Sequence, residues 1–257
     1  MGGFRKLKNL SENEKSDNID LENSYTYQGS ALSELEYMFL KDLEEILGLP
    51  IPKESTGRFA HGFVSENGYI TELGLSYICF NSFFAIPESI GKLAKLKTLI
   101  IYHNEDLTLL PENIGNLKTL QRLDINYTSI TTLPETLGNL SNLRELYIRH
   151  CPITTLPKNF ERLTNIESLS LAGNQLKEIP EVIGTFTHLK KLDLEENPLG
   201  ALPKSLTKLI NLEVLQLAGT NLKSLSKEHA KWIRDLKKNG CIVSKSSDNV
   251  SEGWVWS

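Results

Sequence analysis

The sequence predicts an α/β solenoid: a curved horseshoe with a parallel sheet on its concave face and short helices or 3-10 turns on its convex face. Three observations carry this. Leucine accounts for 43 of the 257 residues. An apolar–proline pair recurs at Ile86-Pro87, Leu110-Pro111, Leu133-Pro134, Leu156-Pro157, Ile179-Pro180 and Leu202-Pro203, at a first interval of 24 residues and then of 23. Alternation such as Leu123-x-Ile125, Leu146-x-Ile148 and Leu192-x-Leu194 is the period of a strand with one buried face. A fixed period of this length marks a stack of units, none of which can bury its apolar face alone.

Residues 1–29 are polar and lack periodicity, so a disordered tail is expected. The start MGGFRKLKNLSENEKSDN has no apolar h-region, hence no secretory signal is visible. Met1-Gly2 opens as a myristoylation site does, but Lys6 stands where that pattern takes Ser or Thr. The four N-x-S/T sequons, at Asn9, Asn126, Asn139 and Asn249, are read as chance.

Residues 30–69 read as an N-terminal cap. Leu32, Leu35, Phe39, Leu43, Ile46 and Leu47 share one helical face, with Ser30 as expected N-cap and the Leu-Pro and Ile-Pro pairs at 49–52 as the stop. Phe63-Val64 and Tyr69-Ile70 flank Glu66-Asn67-Gly68, an Asn-Gly hairpin signal.

Residues 70–225 hold seven repeats, opening at Ile70, Leu96, Leu120, Leu143, Ile166, Leu189 and Leu212. The copy from Ile70 carries an apolar insertion around Ile78-Cys79-Phe80, and in the last copy Leu225-Ser226 replaces the apolar–proline pair. Between each proline and the next opening residue, apolar positions three apart (Ile114, Leu117, Leu120) suit one or two helical or 3-10 turns. The ninth frame position is Asn81, Asn104, Thr128, Cys151, Asn174, Asn197 and Thr220. These are side chains that can satisfy backbone groups inside the stack.

Residues 226–243 read as a C-terminal cap. Ala230, Ile233 and Leu236 share a face with Trp232 beside it, Gly240 closes the helix, and Cys241-Ile242-Val243 forms an edge strand. Residues 244–257 are an expected disordered tail; Trp254-Val255-Trp256 is read as packing on the cap or staying loose, with a docking motif as the alternative.

Seven copies of L-x-x-L-x-L-x-x-N/T/C-x-L in register resemble the leucine-rich repeat family. The 23-residue L-P form is most similar to the intracellular subgroup of Ras-suppressor, Scribble-type and plant Ras-group-related proteins. The resemblance implies a leucine-rich repeat solenoid whose partner is a small GTPase or another signalling protein.

Composition removes other classes. A net charge of -4 opposes a general nucleic-acid binder. No run of about 18 apolar residues is present, so no membrane insertion is expected. Three cysteines fit a reducing compartment, and the expected location is cytoplasmic. Walker A, G-x-G-x-x-G, C-x-x-C, H-E-x-x-H and G-x-S-x-G motifs are absent. His103 and His150 lie two repeats apart, about 10 Å, too far to share a metal. The expectation is no enzyme, no cofactor and no metal.

What remains is a surface. Frame positions three, five, seven and eight face the concave side. In the N-terminal half they gather Tyr77, Tyr102, His103, Asp124, Tyr127, Tyr147, Arg149 and His150; in the C-terminal half they are small or acidic: Ala172, Gly173, Asp193, Glu195, Glu196, Ala218 and Gly219. Tyr and Arg dominate interface energetics, so the first group is the expected partner-binding face. Replacing Tyr102, Tyr127 and Tyr147 with Ser is expected to abolish capture and leave the melting temperature nearly unchanged. The functional reading is a non-catalytic interaction scaffold, monomeric; a self-associating structural module and a substrate-recognition adaptor for an enzyme on another chain are the alternatives.

Overall fold

A computed structural model describes residues 25–53, 61–78, 83–222 and 224–244. Its main sheet has nine strands: β3 (Gly62–Glu66), β4 (Tyr69–Ser76), β5 (Thr98–Asn104), β6 (Arg122–Thr128), β7 (Glu145–Arg149), β8 (Ser168–Ser170), β9 (Lys191–Asp193), β10 (Val214–Gln216) and β11 (Ile242–Ser244), in spatial order of sequence. Only β3 runs antiparallel, against β4. From β4 onward the register is locked to the repeat: Leu73, Leu99, Leu123, Leu146, Leu169, Leu192, Leu215 and Val243 pair in one continuous column. Every leucine of that column is buried. A one-residue slip would turn the whole column out to solvent, so burial itself enforces the register.

The chain returns on the far side through 3-10 turns at Glu88–Lys92, Glu112–Asn116, Glu135–Asn139, Lys158–Arg162, Glu181–Thr185 and Lys204–Lys208. Each follows directly on the recurrent proline, whose φ near −65° leads into the turn. Adjacent turns are stitched by the residue after proline. The Glu135 carboxylate accepts from the backbone N–H groups of Lys158 and Asn159 (3.2 and 3.0 Å), and Glu181 does the same for Lys204 and Ser205 (3.2 and 2.8 Å). These are the otherwise unpartnered donors at the start of the next turn. Gly138 lies so close to the Asn159 carbonyl that a Cβ there would overlap it.

The ninth frame position supplies the second seam. Asn104 donates to the Leu75 carbonyl (2.7 Å) and accepts from Ile78 N–H (2.9 Å). Asn174 donates to Ile148 O (2.7 Å) and Asn197 to Leu171 O (2.8 Å), each reaching one repeat back. Cys151 Sγ, buried against Thr128 Oγ at 3.2 Å, takes the same place; burial pushes its thiol pKa up, the opposite of a reactive thiolate. Asn81 and Cys79 lie outside the described residues.

The ends differ from expectation in detail. A hairpin of β1 (Tyr25–Tyr27) and β2 (Ser30–Leu32) precedes the first helix, so residues 25–29 of the segment expected to be a tail are folded. Ser30 is therefore a strand residue, and the N-cap of α1 (Glu34–Leu47) is Ser33, three residues on, whose hydroxyl bonds the Glu36 carboxylate. The buried face is Glu36, Phe39, Leu40, Leu43 and Leu47, whereas Leu35 and Ile46 are exposed. Gly48 in the left-handed region ends the helix just before Leu49-Pro50. The hairpin turn is Asn67-Gly68, both at positive φ, as a two-residue type I′ loop requires. At the other end α2 (Lys227–Lys238) covers the last repeat. His229, Trp232, Ile233 and Leu236 are buried, Ala230 is half-buried, and Trp232 Nε1 donates to Leu209 O at 3.1 Å. Strand β11 then closes the sheet in parallel with β10. The Trp254-Val255-Trp256 segment lies outside the described residues.

Candidate interaction face on the concave sheet

The eighth frame position, just past the strand or at its end, is left-handed in all seven repeats. Tyr77, His103, Tyr127, His150 and Glu196 have φ between 50 and 57°, and Gly173 and Gly219 have φ of 67°. The conformation belongs to the turn off the strand: His150 N–H still reaches Ala172 O (2.9 Å), and Glu196 N–H reaches Ala218 O (2.8 Å). A side chain in this region costs about 1–2 kcal/mol relative to glycine. The frame takes glycine twice; four times it takes an aromatic ring instead.

Those four rings form one stack across neighbouring repeats. Tyr77 lies on His103 (centroids 5.0 Å, planes 9° apart), His103 on Tyr127 (4.4 Å, 3°) and Tyr127 on His150 (4.5 Å, 14°). The separations match the strand spacing, so the sheet sets the stack. Tyr102, at frame position seven, abuts it edge-on, 4.6 Å from His103 and 5.5 Å from Tyr127. The stack stops at Gly173 because the His150 ring fills the space a side chain there would need. Tyr77 and Tyr127 remain 48% and 37% exposed, so the rings are presented to solvent.

Beneath the stack runs a polar layer. Position five is covered by its neighbours: Asp124, Tyr147, Ser170, Asp193 and Gln216 are all buried. Asp124 is held by Arg122 (3.0 Å) and by the Asn126 amide. Tyr147, only 3% exposed, lies between two guanidinium groups, Arg122 at 5.1 Å and Arg149 at 4.6 Å from its ring centre. Its hydroxyl donates to Glu145 at 3.1 Å, and burial pushes its pKa up to about 12. Thus Asp124 and Tyr147, expected on the contact surface, form the layer under it. The expectation that Tyr147→Ser spares the fold is corrected accordingly, since that ring is packed on both faces.

A cavity of about 290 Å³ opens beside the stack, lined by Tyr102, Asn126, Tyr127, Arg149 and His150 on one side and by Ala172, Asp193, Glu195, Glu196 and Gln216 on the other. The aromatic and acidic halves, distinct in the sequence, therefore meet in one recess. Arg149 Nε donates to Ser170 Oγ (2.8 Å), which donates to Asp193 Oδ2 (2.7 Å). Asp193 also accepts from Glu195 N–H (3.1 Å), and Glu195 accepts from Ser244 Oγ (2.7 Å). Burial raises the carboxyl pKa of both Asp193 and Glu195 above the ordinary carboxylate range. Asn126, Asp193, Glu195 and Glu196 were absent from the expected contact set. The signal that finds them is positional, since each shares a frame position with a residue already chosen. Among the described residues no cluster of three or more His, Cys, Asp or Glu side chains is placed to hold a metal, and no helix is long and apolar enough to cross a membrane.

Residues 84–180 match the leucine-rich repeat region family, and residues 164–208 match a pattern of two leucine-rich repeats. Among solved structures, a leucine-rich repeat protein of Leptospira interrogans is similar over 67% of this chain and 42% of its own, at 33% identity and a TM-score of 0.60. The leucine-rich repeat domain of the type III effector XopL is similar over 64% and 57%, at 33% identity and a TM-score of 0.56. The ectodomain of the Arabidopsis thaliana receptor kinase GASSHO1/SCHENGEN3, solved with CASPARIAN STRIP INTEGRITY FACTOR 2, is similar over 58% and 19%, at 34% identity and a TM-score of 0.50. The chain thus spans less than two thirds of each of these relatives. No curated protein matches the chain. Locked leucine column, asparagine seam, proline-led turns and matched pattern agree: the chain folds as a leucine-rich repeat solenoid.

Proposed function

We propose that this chain is a non-catalytic interaction module that captures a protein partner on its concave face, through Tyr77, Tyr102, His103, Tyr127, Arg149 and His150. One observation carries the reading. Four rings, two exposed and two half-buried, form a continuous stack at positions where the backbone conformation favours glycine. Ring contacts offset the conformational cost at these sites but do no more for the fold than glycine would, whereas a contact surface gains large, rigid rings with little rotamer entropy to lose. The plant ectodomain solved with a bound factor supports a recognition role for the shared fold. The subgroup resemblance points to a signalling partner, a small GTPase in particular, met in the cytoplasm. The buried free thiols of Cys151 and Cys241 agree with a reducing compartment.

The test is capture by wild type against a Tyr102→Ser/Tyr127→Ser variant, with unfolding of both followed by circular dichroism. Loss of capture with the unfolding midpoint within a few degrees supports the reading, and undiminished capture refutes it.

A further inference from the structure

Within that reading, the chemistry of the cavity narrows the partner. Its lining is lopsided in charge: the carboxylates of Asp193, Glu195 and Glu196 against the single guanidinium of Arg149, a net of two negative charges with the imidazole neutral. Arg149 is already engaged, its Nε on Ser170 and its plane against the Tyr147 ring. Glu196 is exposed, and Glu195 is half-buried, its carboxylate accepting from the Ser244 hydroxyl beside the carboxylates of Asp193 and Glu196. Gathering three carboxylates where two are partly desolvated is unfavourable until a cation joins them.

A second observation points to an occupant at the ring end of the same cavity, three strands or about 14 Å from Glu195. Asn126 lines the cavity and is 2% exposed. Its amide nitrogen donates to Asp124, and its Oδ1 has no donor among the described residues. A buried acceptor without a donor costs about 1–3 kcal/mol, a deficit that an incoming N–H group would remove.

We propose that the partner inserts an arginine or lysine side chain into this cavity, its cationic head on Asp193, Glu195 and Glu196, while a neighbouring residue of the same segment packs on the Tyr127–His150 end of the ring stack. His150 and Glu196 share a frame position two strands apart, hence about 10 Å. An extended segment rises about 3.3 Å per residue, so ring contact and cation fall three residues apart. The recognised element is an apolar or aromatic residue followed or preceded at the third place by a basic one. Guanidinium satisfies this site better than ammonium, since its fork can bridge two carboxylates.

The experiment is an amide-resolved NMR titration of the full chain with the peptide acetyl-Gly-Ser-Tyr-Gly-Ser-Arg-Gly-Ser-amide and its counterpart with Gln in place of Arg. Shifts centred on residues 193–196 and 126, weakened at least tenfold in affinity by the Gln peptide and by Glu195→Gln/Glu196→Gln, support the proposal. Equal behaviour of the two peptides, no shifts at all, or indifference to the double variant overturns it. The same amides shifting on removal of residues 245–257 would make the chain's own tail the occupant and would also overturn it. Native partner capture separates this from the broader reading. Capture lost in Tyr102→Ser/Tyr127→Ser but unchanged in Glu195→Gln/Glu196→Gln leaves the concave interface standing without its cation pocket. Capture unchanged in both sinks the two together.

Discussion

At Tyr147 and Tyr127, one residue type on one sheet face serves two ends. Tyr147 is enclosed by two guanidinium groups and its hydroxyl is spoken for, so Tyr147→Ala should cost about 3–5 kcal/mol in chemical unfolding. Tyr127 is exposed at a left-handed position, and Tyr127→Gly should change stability by less than about 1 kcal/mol, because the glycine backbone gain offsets the lost ring contacts. Gly173 is the complementary case: at φ 67° with the His150 ring over it, Gly173→Ala should displace that ring and destabilise by about 1–3 kcal/mol, readable in unfolding and in the His150 ring resonances. None of this depth could be read from period-two alternation. Alternation says which face a residue joins, whereas neighbours about 4.8 Å away decide whether a side chain at position five is roofed over. Asp124 and Tyr147 were misjudged for that reason. The left-handed column, by contrast, left a trace: Gly173 and Gly219 occupy the same frame position as the four stacked rings.

Among elements, the two seams between repeats separate legible from illegible. The ninth-position side chains do as their chemistry implies. Asn197→Ala would leave the Leu176 N–H without its partner inside the stack, while the Leu171 carbonyl keeps the Asn174 amide; the one orphaned donor should cost about 1–3 kcal/mol. The Asn67-Gly68 turn, the cap helix over the last repeat and the edge strand were equally readable, because each rests on local chemistry. The first hairpin was not. Its three-residue strands carry too few alternations to stand out from a polar tail, and their pairing moved the helix start from Ser30 to Ser33. Leu35 and Ile46 looked like core by spacing, but the helix rotates Glu36 inward, where its carboxyl bonds the Ser33 hydroxyl and burial raises its pKa.

For the whole molecule, charge and acidity link the cavity to binding. The folded pKa values of Asp193 and Glu195 lie above their unfolded values. Protonation therefore favours the fold, so their contribution to stability is fully present below the unfolded pKa and is lost as pH rises through the raised folded values. Glu195→Gln removes the ionisable group and should gain stability relative to wild type as pH rises above the ordinary carboxylate range, checked by melting curves at acidic and neutral pH. A bound cation acts oppositely by favouring the carboxylates, which face Arg149, His150, Ser170, Ser244 and Glu196. Affinity for the arginine peptide should fall as pH drops through the raised values. The most direct measurement of where the partner sits is photo-cross-linking in native extract, with benzoylphenylalanine placed at Tyr127 in one preparation and at Ile210, exposed on the turn side, in another. A single covalent adduct from position 127 and none from 210 is the expected result; an adduct from 210 with none from 127 would contradict recognition through the concave rings.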